Sequence, residues 1–187
     1  KDDIIQFYGT PESKIDICYQ SCNPSFGITV SDAEKQRVKD FYSLPNEYFL
    51  YVGSIIERKN LLNICKALHL LKSKLNIPLV VIGSGGKYKQ QIQQYIAIHQ
   101  LQTQVIFLSD QFQNADFKSA KDFPAIYQQA LAMIYPSTFE GFGIPVLEAL
   151  WSNTPVITSN VSCMPETGGN AAYYVNPLNE EEIANAM

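Results

Sequence analysis

At 187 residues, 46% of them hydrophobic and 12% aromatic, the chain can bury one full α/β core and lacks the composition of a disordered segment. A net charge of −4 and a pI near 5.2 argue against nucleic acid or an anionic membrane as the main partner, and leave an anionic small ligand only where the few cations cluster. The four cysteines lack paired metal-ligand spacings and no apolar run reaches membrane length, so the sequence predicts a reducing, cytoplasmic setting, no metal site, and structural roles for its cysteines and for His69 and His99. The chain starts abruptly and reads as an excised piece of a longer polypeptide.

Residues 1–46 mix polar residues with short apolar runs, one of them 14–19. Ser31, with Glu34 three positions on, forms a capping-box pattern that predicts a helix through Tyr42. From Phe49 the pattern becomes regular. A compact apolar run predicts a strand over 48–52. Leu61, Ile64, Cys65, Leu68 and Leu71 then recur at helical spacing within 60–74. Strand 78–82 ends at Gly83, and helix 87–99 and strand 104–108 follow. Helix 122–130 leads into strand 131–135, then helix 144–151 and strand 155–158. A last strand covers 172–175, and Asn179 caps a final helix. This alternation, with uniformly apolar central strands, predicts a parallel sheet covered by helices on both faces. Ligands of such sheets bind beyond the C-terminal strand ends, which places residues 53–59, 83–86, 108–110 and 136–140 around one site.

The segment 137–150 is the most informative part of the chain. Glu140 and Glu148 stand there with seven residues between them, enclosing a Gly141-Phe142-Gly143 turn and Pro145. Both glycines suit positive φ and close approach of the backbone to a ligand, and proline suits a first helical turn. The N–H groups of that helix start suit a phosphate, and a carboxylate offers two acceptor oxygens to a diol. Each residue also has a plain reading. Glu148 would complement the helix dipole, Glu140 would serve a turn, Phe142 would pack, and Lys59 would be a solvated lysine. The turn Gly83-Ser84-Gly85-Gly86 lacks the spacing of a dinucleotide fingerprint.

Glu140 and Glu148, with Gly-Phe-Gly-Ile-Pro-Val-Leu inside, resemble the signature of retaining GT-B glycosyltransferases of glycosyltransferase group 1. Tyr51-Val52-Gly53 with Glu57-Arg58-Lys59-Asn60, Val81-Ile82-Gly83-Ser84-Gly85, Val105-Ile106-Phe107-Leu108, Pro155-Val156-Ile157-Thr158-Ser159, Met164-Pro165-Glu166 and Gly168-Gly169-Asn170-Ala171-Ala172 resemble the family's other segments, in its order. The likeness runs from about Phe49 to Asn185. It implies a Rossmann-like α/β domain over 47–187, the C-terminal, donor-binding lobe of a two-lobe GT-B fold. Residues 1–46 would then be a partial interlobe segment packing on that lobe, and the N-terminal acceptor lobe would be absent.

What the resemblance implies for the site is specific. Glu140 would face the donor sugar and Lys59 the diphosphate, both with catalytic roles. Glu148 would accept hydrogen bonds from ribose hydroxyls, and the backbone of Gly141, Phe142, Gly143 and Ile144 would meet sugar and diphosphate. Gly53, Ser109 and Asp110 would line the nucleotide site, with the base beside Ser109 and Asp110. Many family members carry Arg where this chain has Ser54, and Arg58 lies in the same loop as a candidate substitute. The segment 111–121 is longer than the family's usual loop.

The implied activity is retaining, metal-independent transfer of a hexose from a UDP- or GDP-linked donor to an acceptor such as a growing bacterial surface polysaccharide. The nucleotide sugar is a substrate, and no cofactor is expected. The partner is the N-terminal lobe of the same polypeptide, through which peripheral membrane association would arise. The lobe alone is expected to bind donor and to be inactive in transfer. A non-catalytic nucleotide- or sugar-binding module is the main alternative. An NAD-dependent oxidoreductase would need the missing fingerprint, and a nucleotide-sugar epimerase would lack the Gly-Phe-Gly-Ile-Pro helix opening.

Overall fold

The computed structural model describes residues 1–112 and 121–187. Its strands are β1 (Phe49–Val52), β2 (Leu79–Ile82), β3 (Val105–Phe107), β4 (Ala132–Tyr135), β5 (Val156–Ser159) and β6 (Tyr173–Val175). All five pairings are parallel and the order is β3-β2-β1-β4-β5-β6. Every residue of β1, β2, β4 and β5 is buried, which is why the first three read as unbroken apolar runs rather than alternating ones, while β5 ends in the buried polar pair Thr158 and Ser159. Tyr173 of β6, on one edge, is exposed.

The helices are α1 (Asp2–Tyr8), α2 (Asp32–Tyr42), α3 (Leu61–Leu71), α4 (Lys87–Ile98), α5 (Leu108–Gln111), α6 (Phe123–Gln129), α7 (Ile144–Trp151), α8 (Met164–Gly168) and α9 (Glu180–Ala186). Contacts join α3 to α4 and α9, and separately join α2, α6, α7 and α8 in series. These two groups cover the sheet. No helix among the described residues is long and apolar enough to cross a membrane.

The predicted caps form. Ser31 Oγ accepts the Glu34 N–H at 3.3 Å, and Asn179 Oδ1 accepts those of Glu181 and Glu182. Most predicted boundaries move by a single residue, and the helix predicted over 60–74 ends three residues early, at Leu71. The strand over 104–108 stops at Phe107, because Ser109 Oγ takes the Gly83 N–H at 2.9 Å and turns the chain toward β2 as α5. Helix 60–74 starts at Leu61, because Asn60 lies in the left-handed region at φ 63° and caps the helix from outside it. The long loop over 111–121 falls largely outside the described residues.

Residues 1–20 bury no side chain, whereas Cys22, Phe26, Val38, Tyr42 and Leu44 join the core. Phe26 sets its ring edge-on to Tyr127 of α6 at 5.1 Å, and Ser152 Oγ donates to the Phe26 carbonyl. The stretch around Phe26 and α2 is thus part of the domain core.

Candidate functional site

The sheet order creates the site. From β1 the chain winds outward through β2 to β3; from β4 it winds the other way through β5 to β6. A crevice opens where the two windings diverge, beyond the C-terminal ends of β1 and β4. Gly53 follows β1 there at φ 150°, and a Cβ on it would stand 3.0 Å from Lys59 Nζ. The glycine lets the Lys59 side chain fold back across the strand end.

Lys59 Nζ lies 2.6 Å from the Tyr135 hydroxyl, over the Tyr135 ring, and 3.6 Å from Glu140 Oε1. Tyr135, the last residue of β4, donates to Glu140 Oε1 at 2.9 Å. Ser137 Oγ lies 3.0 Å from the same oxygen. Glu140 Oε2 faces Arg58 at 2.8 Å, and the same guanidinium nitrogen donates to the Phe139 carbonyl at 2.7 Å. Arg58, Lys59, Tyr135, Ser137 and Glu140 therefore form one cluster. Its two cations against one carboxylate leave an excess positive charge at the mouth of the crevice.

The electrostatics follow from this packing. Burial would raise the Glu140 carboxyl, but hydrogen bonding to Arg58, the Lys59 charge, and the Tyr135 and Ser137 hydroxyls outweigh it and hold the carboxyl below its ordinary value. Burial lowers Lys59, against the pull of Glu140. Burial and the neighbouring Glu140 push the Tyr135 phenol far up, so it stays a neutral donor.

Glu148 sits on α7, and its Oε2 accepts from the Tyr127 hydroxyl at 2.8 Å. Burial raises its carboxyl and the Tyr127 hydrogen bond works against that rise. No hydrogen bond joins Glu148 to the Glu140 cluster among the described residues. The two motif carboxylates thus differ in environment, one held ionised by cations and the other desolvated beside a phenol.

Of the motif glycines, Gly143 has the expected positive φ, 91°, and caps α7. A Cβ there would come 2.4 Å from Met164 Cε. Gly141 departs from expectation. It keeps ordinary φ, and a Cβ on it would meet open space, so the backbone demand of this turn rests on Gly143 alone. Ile144 and Pro145 open α7, as expected. Phe142 is half-buried and tilts against Tyr19 at 6.3 Å, beside a cleft of about 530 Å³ that Gly141, Leu147 and Glu166 also line.

Ser54 is exposed, and its carbonyl accepts from Tyr51 and from the Ile56 N–H. A second opening, about 440 Å³, is lined by Ile55, Glu57, Arg58, Gly86, Lys87 and Tyr88 at the ends of β1 and β2. Farther along the strand ends, Asp110 pairs with Lys89, whose ammonium lies over the Phe107 ring.

Tyr135 and Tyr127 carry no motif in the sequence, and Ser137 and Asn60 stand within motif segments without a role of their own. Asn60 Nδ2 donates to the Pro136 and Pro177 carbonyls, tying the β1 loop to the end of β4. The one usable signal was a tyrosine closing a strand immediately before the motif, where every other residue of the run is aliphatic or methionine.

Comparison with known proteins fits this geometry. Residues 32–187 match the family described as glycosyl transferases group 1. The O-antigen chain mannosyltransferase RfbU of Salmonella typhimurium is 32% identical over 187 residues, covering all of this chain and 47% of its own length. The chain thus spans about half the length of that relative. The C-terminal domain of a glycosyl transferase group 1 family protein (LpcC) from Francisella tularensis superposes with a TM-score of 0.63 at 23% identity, over 83% of this chain and 80% of that one. Anabaena HepE, solved in complex with UDP and glucose, superposes with a TM-score of 0.78 at 17% identity, over 97% of this chain and 48% of that one. The six-stranded parallel sheet is that of GT-B glycosyltransferases.

Proposed function

The chain belongs to the glycosyl transferases group 1 family, and on that premise we propose that it is the donor-binding lobe of a retaining hexosyltransferase acting on a nucleotide sugar. The observation that carries this reading is the Arg58–Lys59–Glu140 cluster at the divergence of β1 and β4. Two cations there suit a diphosphate, and a carboxylate held ionised beside them suits a sugar hydroxyl.

In this reading Lys59 and Arg58 take the diphosphate, and the start of α7 at Gly143 and Ile144 adds its positive dipole end. Glu140 binds the donor sugar and stabilises the developing oxocarbenium charge. Glu148 takes the ribose hydroxyls. Preorganised cations, rather than a bound metal, stabilise the leaving diphosphate. The acceptor hydroxyl arrives from the N-terminal lobe, and the departing phosphate assists its attack on the same face of the sugar, which gives retention. The setting is cytoplasmic, with the donor UDP- or GDP-linked. The mannosyltransferase relative favours a mannosyl donor and a surface-glycan acceptor.

A non-catalytic nucleotide-binding module is kept as a second reading by Ser54, which leaves the β1 loop one cation short of the common family pattern. Calorimetric titration with UDP, GDP, UDP-glucose and GDP-mannose, with and without EDTA, tests the first reading. Binding of a nucleoside diphosphate that survives EDTA is expected. No binding of any of the four, or binding only with a divalent metal, overturns it. Transfer by a full-length polypeptide bearing this lobe then separates enzyme from module.

A further inference from the structure

The two oxygens of Glu140 are held in different ways. Oε1 faces the framework, where the Tyr135 hydroxyl donates to it at 2.9 Å and Ser137 Oγ lies at 3.0 Å. Both of these residues are fully buried. Oε2 faces Arg58, whose side chain is 43% exposed. One oxygen is therefore fixed to the sheet, and the other is held by a partner that can swing away.

Tyr135 does a second thing. Its hydroxyl oxygen accepts from Lys59 Nζ at 2.6 Å while its proton goes to Glu140. This gives a chain with one polarity, from ammonium to phenol to carboxylate, in which each bond strengthens the next. The ring is locked by burial, by its tilted contact with Tyr51 at 6.1 Å, and by the strand itself, with Thr158 bonded to the Tyr135 carbonyl. Tyr135 is thus held from several sides and touches both of the cluster's principal charges.

The geometry points to Tyr135 as a positioning residue that fixes Glu140 Oε1 and Lys59 together, so that only Glu140 Oε2 is free to exchange Arg58 for a donor-sugar hydroxyl when a diphosphate draws Arg58 away. The inference rests on the donor-binding reading above and deepens it. Binding of the diphosphate and presentation of the carboxylate to the sugar become one event, since the Arg58 guanidinium serves one or the other.

A thermodynamic cycle on nucleotide-sugar affinity tests this. Tyr135→Phe keeps the ring and removes the hydroxyl. It is expected to weaken GDP-mannose or UDP-glucose binding, whichever the wild type binds, by about tenfold or more, since the hydroxyl bonds a carboxylate and an ammonium. In a Glu140→Ala background, the same change is expected to cost several-fold less than in the wild type, because its route to the sugar through Glu140 is gone and only the Lys59 contact remains. Equal losses in both backgrounds, or no loss in either, would overturn the proposal, as a residue acting only through packing gives independent effects. If Tyr135→Phe fails to fold, Ser137→Ala carries the same cycle on the same oxygen. A wild-type chain that binds no nucleotide overturns the donor-binding reading itself, whereas a wild type that binds while the cycle shows no coupling overturns only the role of Tyr135.

Discussion

Arg58 and Glu140 meet at 2.8 Å although 82 positions separate them, one on the loop after β1 and the other on the loop after β4. Adjacent parallel strands make this contact, since β1 and β4 are neighbours in the sheet. It closes the crevice with a pair whose members, in the proposed donor-binding reading, would each take a ligand group. Because Arg58 is substantially exposed, solvent screens the pair and its contribution to stability is small.

Glu140 nevertheless makes stability depend on pH. Its carboxyl is lower in the folded than in the unfolded chain, so the folded state binds fewer protons. The stabilisation is complete above the ordinary carboxylate value and is lost as pH falls through the lower folded value. Glu140→Gln should flatten that acid limb, and Arg58→Ala should move it to higher pH. Urea unfolding between about pH 2 and 6 reads both, against ordinary carboxylate values near 4.3. Unchanged acid limbs in both variants would place the titration elsewhere.

Lys59→Ala should weaken UDP and GDP binding by about tenfold or more, while leaving the weaker binding of uridine or guanosine nearly unchanged, because a charge-assisted contact reaches only the phosphates. Parallel titrations of nucleoside and diphosphate check it. Equal losses for both ligands would remove Lys59 from the phosphate site. The fold should survive, since the ammonium is already disfavoured by burial.

Glu148 gives the opposite pairing of stability and function. Burial raises its carboxyl in the folded state, so ionisation near neutral pH opposes folding. Glu148→Gln should leave melting temperature unchanged or higher, with the amide oxygen still accepting from Tyr127. Nucleotide affinity should fall, by about 1.5–3 kcal/mol where the lost bonds are charge-assisted. Calorimetry and thermal melting on one sample decide the matter, and a destabilised variant with intact affinity would make Glu148 structural.

Gly143→Ala should destabilise the domain by about 1–3 kcal/mol, since φ 91° strains any residue with a Cβ and that atom would press on Met164. Gly141→Ala should be near neutral, because its Cβ would meet open space. Denaturant midpoints compare the two directly. Equal effects would mean that the turn rearranges.

The sheet was legible because buried parallel strands are written as short apolar runs, and β1, β2 and β4 are of that kind. The caps at Ser31 and Asn179 were legible because capping is local. What sequence could not supply was contact between distant loops. The meeting of Arg58 with Glu140 needs the strand order, which periodicity does not contain. Tyr135 was hidden for a related reason: as the end of an apolar strand it reads as core, and its hydroxyl acquires a role only when Lys59 and Glu140 arrive from other loops. The left-handed conformation of Asn60 was likewise hidden, because the helical pattern over 60–74 runs through it.

The last expectation concerns the residue that departs from the common family pattern. Ser54 is exposed on the loop after β1, one residue beyond Gly53, and its own backbone is held by Tyr51 and Ile56 rather than by its side chain. Among the described residues, replacing it with Arg breaks no side-chain bond, and it adds a third cation to the loop of Arg58 and Lys59. Without ligand, that charge adds to those of Arg58 and Lys59 in the same loop, so Ser54→Arg should leave stability unchanged or slightly lower. With a diphosphate it gains a partner, and UDP or GDP affinity should rise by about three- to tenfold at low salt, an advantage that shrinks as ionic strength increases. Titrations at two salt concentrations separate this from a nonspecific gain, which would appear equally for inorganic sulfate. An unchanged diphosphate affinity in a folded Ser54→Arg variant would show that this loop does not face the phosphates, and would move the donor site away from the β1–β4 crevice.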